Sequence, residues 1–293
     1  MSLRFAPHVA LVLNAMVWGL SWWPFQTMLA AGLAAPWATA LMYAALLAAM
    51  GALAPGAWRH LRHDRTLWLL ALAAGLTNVA FNTAMSFGDV VRVILLFYLM
   101  PAWAVMLAWR FLGERPSRAA VLRLVLAFAG MALVILPTGA QGGWQRLGSH
   151  FSVADGLGLF AGVCFAVTNV TLRHPGAAPA SARMLAMFAG CMGMGLLSAL
   201  LGSAVGWLPG LPPVNAVWVV AVLGMAALVA GGNWALQFGA ARLPTATTSV
   251  IMLSEVLFAS GSAWLLGATQ LTAQMLLGGG LIVGGALFAA LTP

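Results

Sequence analysis

"WRFLGERPSR" occupies residues 109–118 and "AWLLGATQLT" residues 263–272. Leu112–Gly113 recurs as Leu266–Gly267, while Glu114, Arg115 and Arg118 give way to Ala268, Thr269 and Thr272. Aligning Pro101–Ile135 on Glu255–Ala289 without gaps gives seven identities in 35 positions. Two apolar stretches reach that level easily by chance. The selective loss of charge is the informative part, and it needs a cause outside the two segments.

Composition supplies the setting. Hydrophobic residues make up 63% of the 293 positions and charged residues 6%. Soluble domains carry roughly a quarter charged residues, so a soluble chain of this kind could not clothe its surface. A mean hydropathy of +0.99 agrees. A membrane-crossing helix takes about 20 apolar residues. Spanning stretches fall at 8–28, 36–54, 67–87, 91–111, 119–136, 153–173, 182–203, 215–237, 245–266 and 273–291. They are long and rich in Ala, Leu, Gly and Met, which excludes the short alternating strands of a β-barrel. Arg4 and the apolar run after it are read as an uncleaved first helix.

All 13 basic residues are arginine, and the net charge is +8. With ten alternating helices and a cytoplasmic N-terminus, Arg4, Arg59, Arg62, Arg65, Arg110, Arg115, Arg118, Arg123, Arg173, Arg183 and Arg242 fall inside. Only Arg92 and Arg146 fall outside. That asymmetry fixes one orientation by the positive-inside rule. The arginines are read as topology signals that snorkel to headgroups. No arginine cluster sits on a soluble domain, so nucleic-acid binding is not expected. Cys164 and Cys191 lie in apolar runs, which argues against a disulfide or a metal site. His60 and His63, in a predicted cytoplasmic loop, are read as solvated.

With five helices per half, the second half enters the membrane inverted. "GERPSR" then lies inside and "GATQLT" outside, where arginines would oppose the orientation. The basic "WRHLRHDR" inside likewise corresponds to the uncharged "GSAVGWLPGLPPVN" outside, and the uncharged "AAGLAAP" outside to "RHPGAAPASAR" inside. The expected fold is therefore an all-α polytopic membrane protein. Its ten transmembrane helices form two inverted five-helix repeats, residues 1–137 and 138–293, around a central cavity.

At this level the chain resembles the EamA-type drug/metabolite transporter superfamily. The resemblance rests on "VWGLSW" in helix 1, on Pro101 and the closing Gly113–Glu114 of "LMPAWAVMLAWRFLGERPS", and on Glu255 in "LSEVLF", opposite that proline. Gly267–Ala268 departs from the closing Gly-Glu. The tryptophan-rich "WGLSWWPF" looks most like the YddG-type exporters of aromatic and other amino acids. The resemblance implies a secondary transporter in a bacterial inner membrane, with both termini cytoplasmic, exporting amino acids by alternating access. The expected partners are that substrate and the lipid bilayer, with a monomer sufficient and no cofactor. An exporter of another solute class (nucleobase, drug-like or sugar-related) stays open.

Polar residues within the helices are the candidates for the site, because lipid surroundings make them costly. Asn78 and Asn82 lie four apart on helix 3, and Asn233 and Gln237 do the same at matching places on helix 8. Such amides line a shared midplane site or glue helices together. Asn14, Trp18, Ser21 and Trp22 share a face of helix 1, and the equivalent face of helix 6 carries Ala161, Phe165, Thr168 and Asn169. Trp18 and Trp22 are candidates for an aromatic wall, although Trp22 and Trp23 also suit interfacial anchors. Tyr98 lies inside helix 4 and needs a partner there. Glu255 is the one acid deep in a span, where its charge costs at least ~2.5 kcal/mol. It reads as a coupling or amine-recognising group, or as a neutral hydrogen-bonded acid. Pro101 is a candidate hinge or a static bend. An intramembrane enzyme would need a cluster of nucleophiles, acids or ligands, and no P-loop is present. Enzyme activity is not expected. "WRFLGERPSR" itself is not read as the site; it locates the axis on which the site should lie.

Overall fold

The computed structural model describes residues 5–87, 90–135, 151–173, 178–267 and 272–291. Arg4, Arg146, most of "GATQLT" and the expected repeat boundary at 137/138 lie outside the described residues, as does the side chain of Arg92.

The described chain is helical, with no strand among its residues. Its elements are α1 (Ala6–Leu20), α2 (Trp22–Ala30), α3 (Ala35–Leu53), α4 (Ala57–His63), α5 (Arg65–Phe87), α6 (Val90–Phe97), α7 (Met100–Leu112), α8 (Arg118–Ile135), α9 (Val153–Arg173), α10 (Ala180–Ala204), α11 (Ala216–Ala240), α12 (Thr245–Met252), α13 (Glu255–Leu265) and α14 (Ala273–Leu291). Six stretches have the length and hydropathy to cross a membrane: Ala35–Leu53, Arg65–Met85, Val153–Arg173, Ala180–Ala204, Ala216–Ala240 and Thr245–Leu265. Met100–Leu112 and Ala273–Phe288 are shorter apolar helices. In lipid each backbone N–H and C=O needs an internal partner, and helices provide it. The chain is a multi-pass membrane protein.

Three stretches expected as continuous helices are broken. Ser21 separates α1 from α2, and its hydroxyl donates to Trp18 O at 2.6 Å in place of a ladder bond. Tyr98 and Leu99 separate α6 from α7, where Pro101 in the first turn has no N–H to continue the ladder. Leu253 and Ser254 separate α12 from α13, with tight bonds from Leu253 N to Val250 O and from Ser254 N to Ile251 O. The two later breaks fall beside Pro101 and Glu255, the residues that the alignment sets opposite one another. "AWRHLRH", expected as loop, forms the short helix α4.

Packing follows small residues, as expected where the solvent is as apolar as the side chains. α5 crosses α10 and α9; α10 also lies on α3; α1 lies on α11 and α13; α9 lies on α7; α8 lies on α14. At the α8–α14 crossing, Gly130 and Gly278 meet reciprocally. A Cβ on either glycine would stand 2.5 Å from the other's carbonyl oxygen. The faces turned away from these contacts carry large apolar side chains, including Val220, Leu223, Leu277 and Leu287.

Gly113 ends α7 at φ +71° and Gly267 follows α13 at φ +71°. Left-handed backbone after a helix favours glycine, which has no Cβ to clash. Leu-Gly thus stands at the end of both segments because both helices stop in the same way.

Candidate functional site

Glu255 opens α13, and Tyr98 sits in the break between α6 and α7. The break frees Tyr98 from the continuous helical face, and its phenol stands beside the Glu255 carboxyl. Gly19 of α1 lies against the Glu255 carbonyl, where a Cβ would stand 2.6 Å away. This close crossing carries the tryptophans of "WGLSWW" past the start of α13. Trp22 Nε1 donates to Ser262 Oγ at 2.9 Å, on the same helix as Glu255. Trp18 is partly buried against the core. Tyr98 and Glu255 are therefore neighbours where α1 crosses α13 at the α6–α7 break, and Trp22 holds α13 about two turns further on. Trp23, by contrast, is 60% exposed, as a residue facing headgroups would be.

An aromatic cluster adjoins Tyr98. Its ring lies 5.5 Å from Phe97, and Phe97 lies 4.7 Å from Phe81 and 6.0 Å from Phe165. The sequence reading placed Phe165 on the site face of helix 6 but missed Phe81 and Phe97. Phe81 stands immediately before Asn82, so it was visible but indistinguishable from other apolar residues. Asn169, one turn beyond Phe165, is 2% exposed and its Oδ1 has no partner.

The four amides go elsewhere. Asn78 donates to Ala74 O at 3.1 Å and to Cys191 Sγ at 3.2 Å, and Asn82 donates to Thr39 Oγ1 at 3.2 Å. Asn233 donates to Met187 Sδ at 3.6 Å and accepts from Gln237 Nε2 at 2.9 Å. Gln237 Oε1 accepts from Arg183 Nε at 3.1 Å. Each amide pair thus reaches α10, and Asn82 also reaches α3. None of these bonds joins one pair to the other.

The arginines read as snorkelling signals are partly corrected. Arg183 turns inward to Gln237. Arg123 is 4% exposed, its Nε donating to Ala119 O and its guanidinium 5.4 Å from the Phe288 ring. Arg173 Nε pairs with Glu114 Oε1 at 2.9 Å, and its Nη1 donates to Ala241 O at 3.1 Å. Glu114 Oε2 accepts from Thr245 N at 3.0 Å. One carboxylate thereby joins the α7–α8 turn to the end of α9 and the start of α12. The sequence reading gave Glu114 no role; its position one residue past a helix-ending glycine was the available signal.

A carboxyl beside a phenol can accept hydrogen bonds from an ammonium group. Aromatic rings and tryptophan indoles next to it offer apolar surface for a side chain. His, Cys, Asp and Glu nowhere gather in threes fit to hold a metal among the described residues.

Residues 6–136 match the EamA-like transporter family. The match runs from the start of α1 to the end of α8, and it points to a membrane transporter rather than an enzyme. No curated protein matches the chain. A solved structure, described only as a crystal structure of a protein, superposes with a TM-score of 0.78 at 19% identity. It covers 98% of this chain and 98% of its own, so the whole fold is shared.

Proposed function

We propose that the protein is a secondary transporter of ten spans in two inverted five-helix repeats, exporting amino acids across a bacterial inner membrane with both termini cytoplasmic. The single observation that carries this reading is the matched pair of helix breaks, with Tyr98 in one and Glu255 at the other. Discontinuous helices beside a midplane group are how inverted-repeat transporters hold a polar solute in lipid. The packing supports the symmetry. Exchanging each span for the one five later turns α9 on α5 into α1 on α11, and α9 on α7 into α1 on α13. The same exchange leaves α3 on α10 and α8 on α14 unchanged.

Glu255 and Tyr98 receive the amino group, and Trp18, Trp22 and the Phe81–Phe97–Phe165 cluster receive an apolar or aromatic side chain, as in YddG-type exporters. Asn169 offers its free acceptor to the same solute. Asn78 ties α5 to α10 across the two halves, Asn82 ties α5 to α3, and Asn233 and Gln237 tie α11 to α10, so that these helices move together. Pro101 is the hinge of α7.

Radiolabelled uptake into proteoliposomes across an amino-acid panel, with and without a pH gradient, tests the reading. Large neutral and aromatic amino acids are expected to exchange. Glu255→Gln is expected to lower the rate at least tenfold and flatten its pH dependence. Transport of a nucleobase, drug-like or sugar-related solute in place of every amino acid would leave the transporter and reject the substrate class. An unchanged rate and pH profile in Glu255→Gln would reject the role of Glu255.

A further inference from the structure

Helix α12 is enclosed: Thr245 and every residue from Thr247 to Met252 are buried, among α1, α7, α8, α9, α11 and α14. Helices enclosed on all sides are ordinarily apolar throughout. Instead α12 reads "TATTSVIM", and the Oγ atoms of Thr245, Thr248 and Ser249 are buried without a hydrogen-bond partner. Hydroxyls inside membrane helices commonly donate to the carbonyl four residues back. Thr77, Thr168 and Thr171 do so here, at 2.8, 3.1 and 2.7 Å. Those of α12 do not. Ser254 Oγ, in the break beyond, is also buried and unpartnered.

These positions form a file. Thr245, Thr248 and Ser249 share one face by their three-and-four spacing. Neighbours at that spacing have Cβ atoms about 5–6 Å apart. Two O–H···O bonds of ~2.8 Å span roughly the same distance, so one water fits between successive hydroxyls. Met252 interrupts the file, and at that level the unpartnered Asn14 Oδ1 anchors a water, which takes the proton past it. Asn14 Nδ2 donates to Met252 Sδ at 3.3 Å, and Asn14 Oδ1, fully buried, has no partner. Beyond it lie Ser254 and then Glu255. At the other end Thr245 N is bonded by Glu114. Over residues 245–255 a helix rises about 15 Å.

We propose that α12 holds a file of bound water that carries protons between the Glu114–Arg173 end of the bundle and the Glu255 carboxyl. Buried unpaired polar atoms in native proteins call for ordered water, and here those of α12 and of the break lead along the chain to Glu255. In each transfer a proton from water at the Glu114 end joins the first oxygen. Every water or hydroxyl then gives up one O–H bond as it gains another, and a Glu255 carboxylate oxygen takes the last proton. Release reverses the sequence, and no electron moves. The ionisable groups on the elements packed around α12 and Glu255 are these. Tyr98 stands beside the carboxyl; Arg123 of α8 lies over Phe288; Arg110 of α7 lies over Phe111; on α9, Arg173 is held by Glu114, Asp155 accepts from Ser152 N at the opposite end, and Cys164 lies between them; His8 of α1 is about three turns from Gly19, which touches Glu255.

The inference rests on the transporter reading for its purpose but not for its test. Full-length protein in nanodiscs is exposed to microsecond X-ray hydroxyl-radical footprinting, which labels buried side chains next to bound water. Met252 and Met225 are each 1% exposed. Met252 is expected to label at least tenfold faster than Met225, and Thr248→Val/Ser249→Ala to remove the difference. Proton uptake by Glu255 is then followed after a pH jump through its carboxyl infrared band, identified by Glu255→Gln. The double variant is expected to slow uptake at least tenfold with an unchanged midpoint, and Thr248→Ser to stay at the wild-type rate. Equal labelling of Met252 and Met225, or unchanged uptake in the double variant, overturns the proposal. If no amino acid is transported while both readouts behave as expected, the substrate class falls and the water file stands. Melting curves identify a variant that has lost its fold; in that case Ser249→Ala alone, which removes one oxygen, carries the same two measurements.

Discussion

On the proposed alternating access, replacing Glu114 by alanine should favour an arrangement open at the end where it joins α7, α9 and α12. The magnitude follows from its two contacts. The pair with Arg173 spans 2.9 Å between side chains 32% and 26% exposed. Exposed pairs of this kind contribute about 0.2–1 kcal/mol. The bond from Thr245 N, at 3.0 Å, is charge-assisted. Hydrogen bonds to charged groups are worth about 1.5–3 kcal/mol, and partial exposure places this one toward or below the lower end. Together they favour the closed arrangement by roughly 1.5–2 kcal/mol, and 1.4 kcal/mol is a factor of ten in a population ratio. Glu114→Ala should therefore raise the open fraction at least ~10-fold. Glu114→Gln keeps a neutral acceptor and should raise it only ~2–3-fold. The assay is modification by a charged thiol reagent of Ser249→Cys, buried at 1% exposure, in a background lacking Cys164 and Cys191. Arg173→Ala should follow Glu114→Ala, and the double variant should add little to either. Equal modification rates in Glu114→Ala and its parent would refute the latch and leave the contacts as surface chemistry.

Gly113→Ala should destabilise by about 1–2 kcal/mol, because the residue sits at φ +71° with open space around it. Gly267→Ala should do the same, both read as a lower melting temperature in detergent. Gly130→Val should destabilise more than Gly280→Val, since a Cβ at Gly130 meets the Gly278 carbonyl while one at Gly280 meets nothing within 4 Å. Equal losses would remove the α8–α14 crossing as the cause. Cysteines at Pro116 and Gln270 should label from opposite faces of the membrane; labelling from one face would reject the inverted repeat.

The helices were legible because apolar length is a direct physical requirement of the bilayer, and residues 36–54 were expected where Ala35–Leu53 is found. The breaks were half legible. Pro101 announces its own, since it lacks a donor. The break before Glu255 carries no such mark, and only the comparison of the two halves placed a special residue there. Among site candidates, Tyr98 and Glu255 stood out because burial makes an ionisable group expensive, and they do meet. Spacing put each amide pair on one face, but it does not say which neighbouring helix that face touches. Asn78 and Asn233 both meet α10, and no periodicity encodes that. The role of Glu114 was hidden for the same reason. Its partners, Arg173 and Thr245, are distant in sequence and were read as a topology signal and an ordinary helix start.

The two copies of the opening segment differ where their physical tasks differ. Leu-Gly is common to both because both helices end in left-handed backbone, a local requirement indifferent to the side of the membrane. Glu114 pairs with a basic residue, Arg173 at the end of α9, and on the proposed repeat the first half has Ala30 at the end of α2 instead. On the proposed topology the two ends are unequal: Glu114 joins α7, α9 and α12 at one, and Ala268 leaves the second segment no carboxylate to repeat that pair at the other. An alternating-access protein built this way should answer to salt on one side only. In proteoliposomes of known orientation, raising ionic strength on the Glu114 side should speed opening there, since screening weakens a half-exposed pair. Raising it on the opposite side should change nothing, and a symmetric response would mean that Glu114–Arg173 does not set the barrier.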